Sequence, residues 1–160
     1  MKRCSEILKH PSYQEYYKQI EACEKDRIFC HHDMVHFLDV ARIGWIIALE
    51  EMIPVEKELL YAASLLHDIG RHRQYLDKIP HEQASAELAP EILEDCGFGR
   101  EEQKVIVDAI RNHRNKEIAR EKTLRGVLYR ADKKSRGCFC CKAEQECDWA
   151  VEKKNLELRI

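Results

Sequence analysis

At 160 residues the chain is long enough to bury a real core, and its size points to a single domain over 1–160. With 27 basic against 29 acidic residues, no bulk charge drives it to nucleic acid or a membrane surface, so a bound phosphate must be held by local charge. The opening Met1-Lys-Arg-Cys-Ser-Glu lacks the apolar stretch of a signal peptide, and no apolar run approaches the ~20 residues that span a bilayer, so the cytoplasm is the expected compartment.

The predicted elements are all helical; no stretch shows the alternation of a strand. A first helix begins near Ser12, with Tyr13, Tyr16, Tyr17, Ile20 and Cys23 on one stripe. Asp33 is a good N-cap for a second, on which His36, Val40, Ile43 and Ile47 share a face. Pro54 suits the first turn of a third, whose stripe Leu60, Ala63 and His67 runs into the pair His67-Asp68. Gly70 follows, and glycine just past a helix end commonly closes the last turn in the left-handed conformation. Residues 71–80 read as a polar, basic connection. A fourth helix spans about His81 to Asp95 and stops at Gly97. A fifth, about Glu101 to His113, aligns Ile106, Ala109, Ile110 and His113. Residues 114–121 are charged, a loop or a ragged helix. A sixth helix, about Thr123–Lys134, sets Leu124, Leu128, Ala131 and Asp132 on one face. Cys138-Phe-Cys-Cys141 follows, then a last helix from about Ala143. The expected fold is a compact all-α bundle of six or seven helices.

One oddity repeats along this bundle. His36, His67, His113 and Asp132 each lie on the otherwise apolar face of a different helix. A polar group on a core face is costly unless it is bonded there. One such histidine is more often a satisfied core residue than a ligand, but four groups on four helices, beside Asp68, share a simple solution in a common metal. His67 and Asp68 can reach one ion, and the two oxygens of Asp68 can bridge two. His81, opening the fourth helix, is placed to approach the same cavity. Histidine nitrogens with carboxylate oxygens suit iron, manganese, nickel, cobalt or zinc. Lys133, beside Asp132, and Arg71, beside the His-Asp pair, are the preferred phosphate-neutralising cations, ahead of Arg73, Arg111 and Arg114.

The ordered set His36-Phe-Leu-Asp-Val40-Ala41, His67-Asp68-Ile69-Gly70-Arg71 and Ala131-Asp132-Lys133 resembles the H…HD…D signature of the HD-domain superfamily, over about residues 30–135. The resemblance implies that His36, His67, Asp68 and Asp132 hold a first metal. His81, in His81-Glu-Gln-Ala-Ser85-Ala86, and His113, after Ala109-Ile110-Arg-Asn, are similar to the two further histidines of the binuclear branches. That implies a second metal held by His81, His113 and bridging Asp68. One such branch hydrolyses symmetrical dinucleoside polyphosphates; others act on cyclic dinucleotides, but their GYP motif is absent here. The resemblance therefore implies an all-α phosphohydrolase with one or two divalent metals (Fe, Mn, Ni, Co or Zn) acting on a nucleotide or another small phosphorylated compound. Neither nucleic acid nor a membrane is an expected partner. Two rival readings use the same ligands: a non-catalytic nucleotide or metal sensor, and a di-iron oxygenase of the HD type.

Eight cysteines in a reducing compartment point to metal or redox chemistry before a disulfide framework. Cys4, Cys23 and Cys96 fit scattered buried thiols. Cys138, Cys141 and Cys147, in the C-terminal segment 136–160, are spaced to share an ion, with Cys140 the spare. The fourth ligand is expected from Cys30. It precedes His36 by six residues as Cys138 follows Asp132 by six, so helices that meet at a shared metal bring the two together. Zinc is the expected occupant, as a structural staple, with an iron–sulfur cluster the alternative on the same ligands. Free thiols or a disulfide are the competing reading.

Overall fold

Eight α-helices and three 3-10 turns make up the regular structure of the computed structural model, which describes residues 1–158; among these there is no strand. The last two positions of the 136–160 segment thus lie outside the described residues. The helices are α1 (Lys2–Lys9), α2 (Pro11–Glu24), α3 (Met34–Glu50), α4 (Lys57–Leu66), α5 (Arg71–Asp77), α6 (His81–Asp95), α7 (Arg100–Asn112) and α8 (Leu124–Lys134). The 3-10 turns are Lys116–Arg120, Cys138–Cys140 and Val151–Lys153.

Several starts are set by the side chains that the sequence offers there. Asp33 caps α3 by accepting the backbone N–H of His36 at 2.9 Å, and Thr123 caps α8 through Gly126 at 3.4 Å. Pro11 opens α2, with the His10 ring accepting the Ser12 N–H. Gly97, at φ +82°, closes α6 in the left-handed region.

α4 is the axis of the molecule. Leu60, Ala62, Ala63, Ser64, Leu65 and Leu66 are all buried, and α1, α3, α7 and α8 pack around it. Ser64 is tolerated there because its hydroxyl donates to the Leu60 carbonyl at 2.8 Å. Phe37 and Val40 of α3, Ile106 and Ile110 of α7, and Val127 and Leu128 of α8 complete the core, each fully buried. Each such side chain contributes about 1.5–3 kcal/mol by leaving water. Because α3 packs on α4 and α6 packs on α7, the start of one helix lies beside the end of the next. The N-terminal ends of α3 and α6 and the C-terminal ends of α4, α7 and α8 therefore gather at one end of the bundle.

Four expectations are corrected. Residues 2–9 form a helix, α1, docked on α4 by buried Cys4 and Ile7 and by Arg3, which pairs with Glu58 at 3.0 Å and Glu102 at 2.7 Å. Those partners are distant in sequence, so local pattern does not show them. The connection after Gly70 contains α5. The helix expected from Ala143 is absent: turns follow the cysteines, and of residues 135–158 only Ala143 is buried, too little apolar surface to hold a helix in place. Finally, Gly70 sits at φ −85°, not in the left-handed region. It is needed because a Cβ there would lie 2.4 Å from the Ser85 nitrogen and 2.6 Å from the Ala84 carbonyl carbon, so α6 crosses directly against it.

Candidate metal centre

At the gathered end of the bundle the six expected ligands form two groups of three. His36, His67 and Asp132 offer ligand atoms all within 4.8 Å of one another, and so do Asp68, His81 and His113. In the first trio the His36 and His67 Nε2 atoms are 3.3 Å apart, and Asp132 Oδ1 is 3.8 Å from the former and 4.0 Å from the latter. In the second, His81 Nε2 and His113 Nε2 are 3.1 Å apart.

Asp68 joins them. Its Oδ2 lies 3.4 Å from His67 and 3.7 Å from His36, while Oδ1 lies 3.2 Å from His81 and 3.6 Å from His113. Oδ1 is buried without a hydrogen-bond partner. One carboxylate thus presents one oxygen to each trio.

The outward ring nitrogens say what the inward ones carry. His67 Nδ1–H donates to the Ser64 carbonyl at 2.7 Å, and His113 Nδ1–H to that of Ile110 at 2.6 Å. His36 Nδ1 meets the Ser135 hydroxyl at 3.2 Å, whose own proton goes to the Asp132 carbonyl at 2.8 Å, so the ring nitrogen is the donor. With the proton on Nδ1, each inward Nε2 holds a lone pair. Lone pairs facing each other across 3.3 Å repel unless a cation lies between them. The donor set, neutral imidazoles with two carboxylates, fits a divalent transition metal.

Electrostatics agree. Burial alone would raise the Asp68 carboxyl, but its neighbours His67, Arg71, His81 and His32 favour the carboxylate and hold it well below its usual range. Asp132 is likewise depressed: Lys133, His67 and His113 outweigh its burial. Burial would lower His67, yet Asp68 and Asp132 raise it, so this end of the cavity attracts positive charge. His81 is pushed down to about 2, by burial and then by Arg71 and His113 against the pull of Asp68; it stays neutral, as a ligand must.

Both proposed cations are at the centre. Lys133 pairs with Asp132, and its side chain is 32% exposed at the mouth. Arg71 reaches His81 Nδ1 at 2.6 Å. Arg73 instead faces Glu87, away from the centre, while Arg114 faces Glu82, whose carboxylate lies 3.7 Å from His81 Nδ1.

One residue escaped the sequence reading. His32, buried in the loop before α3, accepts from Arg71 at 2.5 Å on Nε2, which also lies 3.7 Å from Asp68 Oδ2. Its Nδ1–H bonds Glu24 at the end of α2, and Tyr75 of α5 donates to the same carboxylate at 2.5 Å. Burial would raise the Glu24 carboxyl, but the hydrogen bonds and charge of His32 and the Tyr75 hydroxyl draw it down to about 2. The chain Tyr75–Glu24–His32–Arg71 thus fixes a guanidinium beside Asp68. The available signal was a histidine four residues ahead of a ligand, but it lies outside any helix, where periodicity says nothing.

The HD domain family matches residues 34–137, a span that holds all six candidate ligands. The chain belongs to the HD-domain family. A protein of Clostridium beijerinckii is 43% identical over 158 residues, covering 99% of both chains. The crystal structure of a predicted HD superfamily hydrolase from an uncultured Thermotogales bacterium has the same fold, at TM-score 0.63 and 23% identity over 89% of this chain and 81% of that one. The HD match begins after Glu24 and His32 and ends before Cys138. Of the remaining thiols Cys4 and Cys96 are buried, as expected, whereas Cys23 is exposed. Among the described residues no helix is long and apolar enough to cross a membrane.

Proposed function

We propose that this HD-domain protein is a metal-dependent phosphohydrolase acting on a nucleotide or another small phosphorylated compound. The observation that carries the reading is the Asp68 carboxylate, with one oxygen turned to each trio of ligands. His36, His67, Asp68 and Asp132 would hold one ion, and His81, His113 and Asp68 a second. Such a pair, when bound, acidifies water and stabilises charge on phosphoryl oxygens. The chain's own part is positioning. Ser64, Ile110 and Ser135 fix the ring orientations from behind. Lys133, at the mouth, is free to turn from Asp132 to a phosphate oxygen, and Arg71 offers a two-pronged donor on the other side of Asp68.

The test is a phosphate-release screen on protein purified without chelators and then supplied with manganese, iron, cobalt, nickel or zinc. The panel spans nucleoside mono-, di- and triphosphates, dinucleoside polyphosphates and sugar phosphates. Hydrolysis of at least one class, dependent on metal and absent in Asp68→Ala, is expected. Fully metal-loaded protein that hydrolyses nothing would favour the sensor reading, and oxygen consumption by the iron-loaded protein the oxygenase reading.

A further inference from the structure

The expected cysteine site is not assembled: among the described residues no three of the sulfurs of Cys30, Cys138, Cys141 and Cys147 lie within 4.8 Å of one another. A different buried polar group, unused by the two trios, converges on Arg71. Glu24 and His32 are only 3% and 8% exposed, and both lie outside the 34–137 span of the family match. Glu24 closes α2, His32 sits in the loop before α3, and Tyr75 is on α5, so three separate parts of the chain meet at one point. Burying a carboxylate beside an imidazole is costly unless both are bonded. Here Glu24 accepts the His32 backbone N–H at 2.8 Å, the His32 ring Nδ1–H, and the Tyr75 hydroxyl at 2.5 Å.

The group ends on the arginine. With the proton on Nδ1, His32 Nε2 holds a lone pair and accepts from Arg71 Nη2 at 2.5 Å. Arg71 Nη1 lies 2.6 Å from His81 Nδ1 and 3.4 Å from Gln74 Oε1. His32 Nε2 is itself 3.7 Å from Asp68 Oδ2. A guanidinium this near a carboxylate ordinarily closes on it as a two-pronged pair. Among the described residues Arg71 makes no such pair: its terminal nitrogens are turned to His32 and His81, and its Nε is buried without an acceptor. Asp68 thereby keeps both oxygens for the ligand trios, and the guanidinium keeps its charge and a spare donor for an anion at their edge.

Building on the phosphohydrolase reading, we propose that Glu24 and His32 are positioning residues for Arg71: they hold its guanidinium off Asp68, as a preformed seat for a phosphoryl group of the substrate. An arginine ordered only on binding loses its side-chain freedom at that moment, whereas one already held loses little. The choice of histidine matters. A second carboxylate at that place would pair with the guanidinium and neutralise it. A neutral imidazole accepts one hydrogen bond and leaves the positive charge to the ligand. Glu24 fixes the tautomer that makes Nε2 the acceptor, and Tyr75 fixes Glu24.

The test is the binding of inorganic phosphate, by titration calorimetry, to full-length protein loaded with manganese and freed of excess metal, with metal per chain measured for each variant. Arg71→Ala and His32→Leu should each weaken phosphate about 10-fold, and the double variant no further, because His32 acts only through Arg71. His32→Gln, whose side-chain carbonyl puts an acceptor near the place of Nε2, should recover most of the affinity; a merely structural histidine gives no such selective recovery. Arg73→Ala, which removes a guanidinium that faces Glu87, should bind phosphate as the wild type does. Additive losses in the double variant, wild-type affinity in both single variants, or no phosphate binding by the wild type would overturn the proposal. Should His32→Leu not fold, Tyr75→Phe decides: it should weaken phosphate about 3-fold and add nothing to Arg71→Ala, and additive loss there overturns the proposal equally. Phosphate binding is read without turnover. A protein that hydrolyses nothing yet shows this pattern keeps the seat and loses the phosphohydrolase reading; one that hydrolyses a substrate but shows additive losses keeps that reading and loses the seat.

Discussion

The HD centre and the C-terminal cysteine segment are built in opposite ways. The HD centre lies at the end of a packed bundle, with its donors on, or just past the ends of, five helices whose cores hold them in place. His67, Asp68 and His113 are almost wholly buried, and three of the histidine rings are aimed by bonds from behind. The cysteine segment has turns, exposed aromatics and one buried alanine. In the first, the fold pre-organises the ligands, so a metal adds chemistry. In the second, tight backbone turns and the bonds of Asn155 to the end of α8 hold the chain with almost no core.

Asp68→Ala should produce the largest divergence between the two. Metal retention at both trios and all hydrolysis are lost, while the thiols of the C-terminal segment react as in the wild type; elemental analysis with a thiol titration checks both. A parallel change in thiol reactivity would show that the regions are not independent.

Gly70→Ala strikes the scaffold of the HD centre alone. The new Cβ meets backbone of α6, which cannot swing aside as a side chain would. A loss of about 3 kcal/mol in urea unfolding is expected, with weakened metal binding. An unchanged midpoint would show that α6 can move away at little cost.

A smaller change separates the trios. Gln74 Oε1 accepts the His81 backbone N–H at 3.2 Å and also touches its ring Nδ1. Gln74→Ala should weaken the second metal about 10–100-fold and leave the first nearly intact. Titration calorimetry, resolving the two sites, is the measurement; equal weakening of both would contradict it.

The smallest effect concerns pH. The Glu24 carboxyl is at about 2 in the folded chain against an ordinary 4.5. Between these values the unfolded chain takes up a proton that the folded one does not, so acid favours unfolding. The stabilisation is complete above about pH 4.5 and drains away as pH falls toward 2. It is on the order of 2 kcal/mol. Glu24→Gln should therefore be less stable at neutral pH and show a flatter loss of stability below pH 4.5, measured by denaturant titration across that range. An unaltered pH slope would mean that His32 is oriented without the carboxylate.

Much of the HD centre was legible because its ligands interrupt a regular pattern. His36, His67, His113 and Asp132 stand out on apolar stripes at helical spacing, and Asp33, Gly97 and Thr123 mark ends by local hydrogen bonding or backbone freedom. His32 and Glu24 do not stand out, since one sits in a loop and the other at a helix end, where a polar residue is ordinary. α1 and α5 were missed for a related reason: α1 is held by Arg3 to Glu58 and Glu102, and α5 packs against α2, with Tyr75 bonded to Glu24, all contacts made across long stretches of chain.

What the sequence determined by itself was the all-helical class, the ends marked by Asp33, Gly97 and Thr123, and which residues could ligate, because period, caps and donor chemistry are local properties. Only the tertiary structure decided that six donors fall into two trios, that Asp68 turns one oxygen to each, and that Gly70 serves a close crossing rather than a left-handed cap. These are distances between groups remote in sequence, set by how α3, α4, α6, α7 and α8 pack, and no pattern within one helix encodes them.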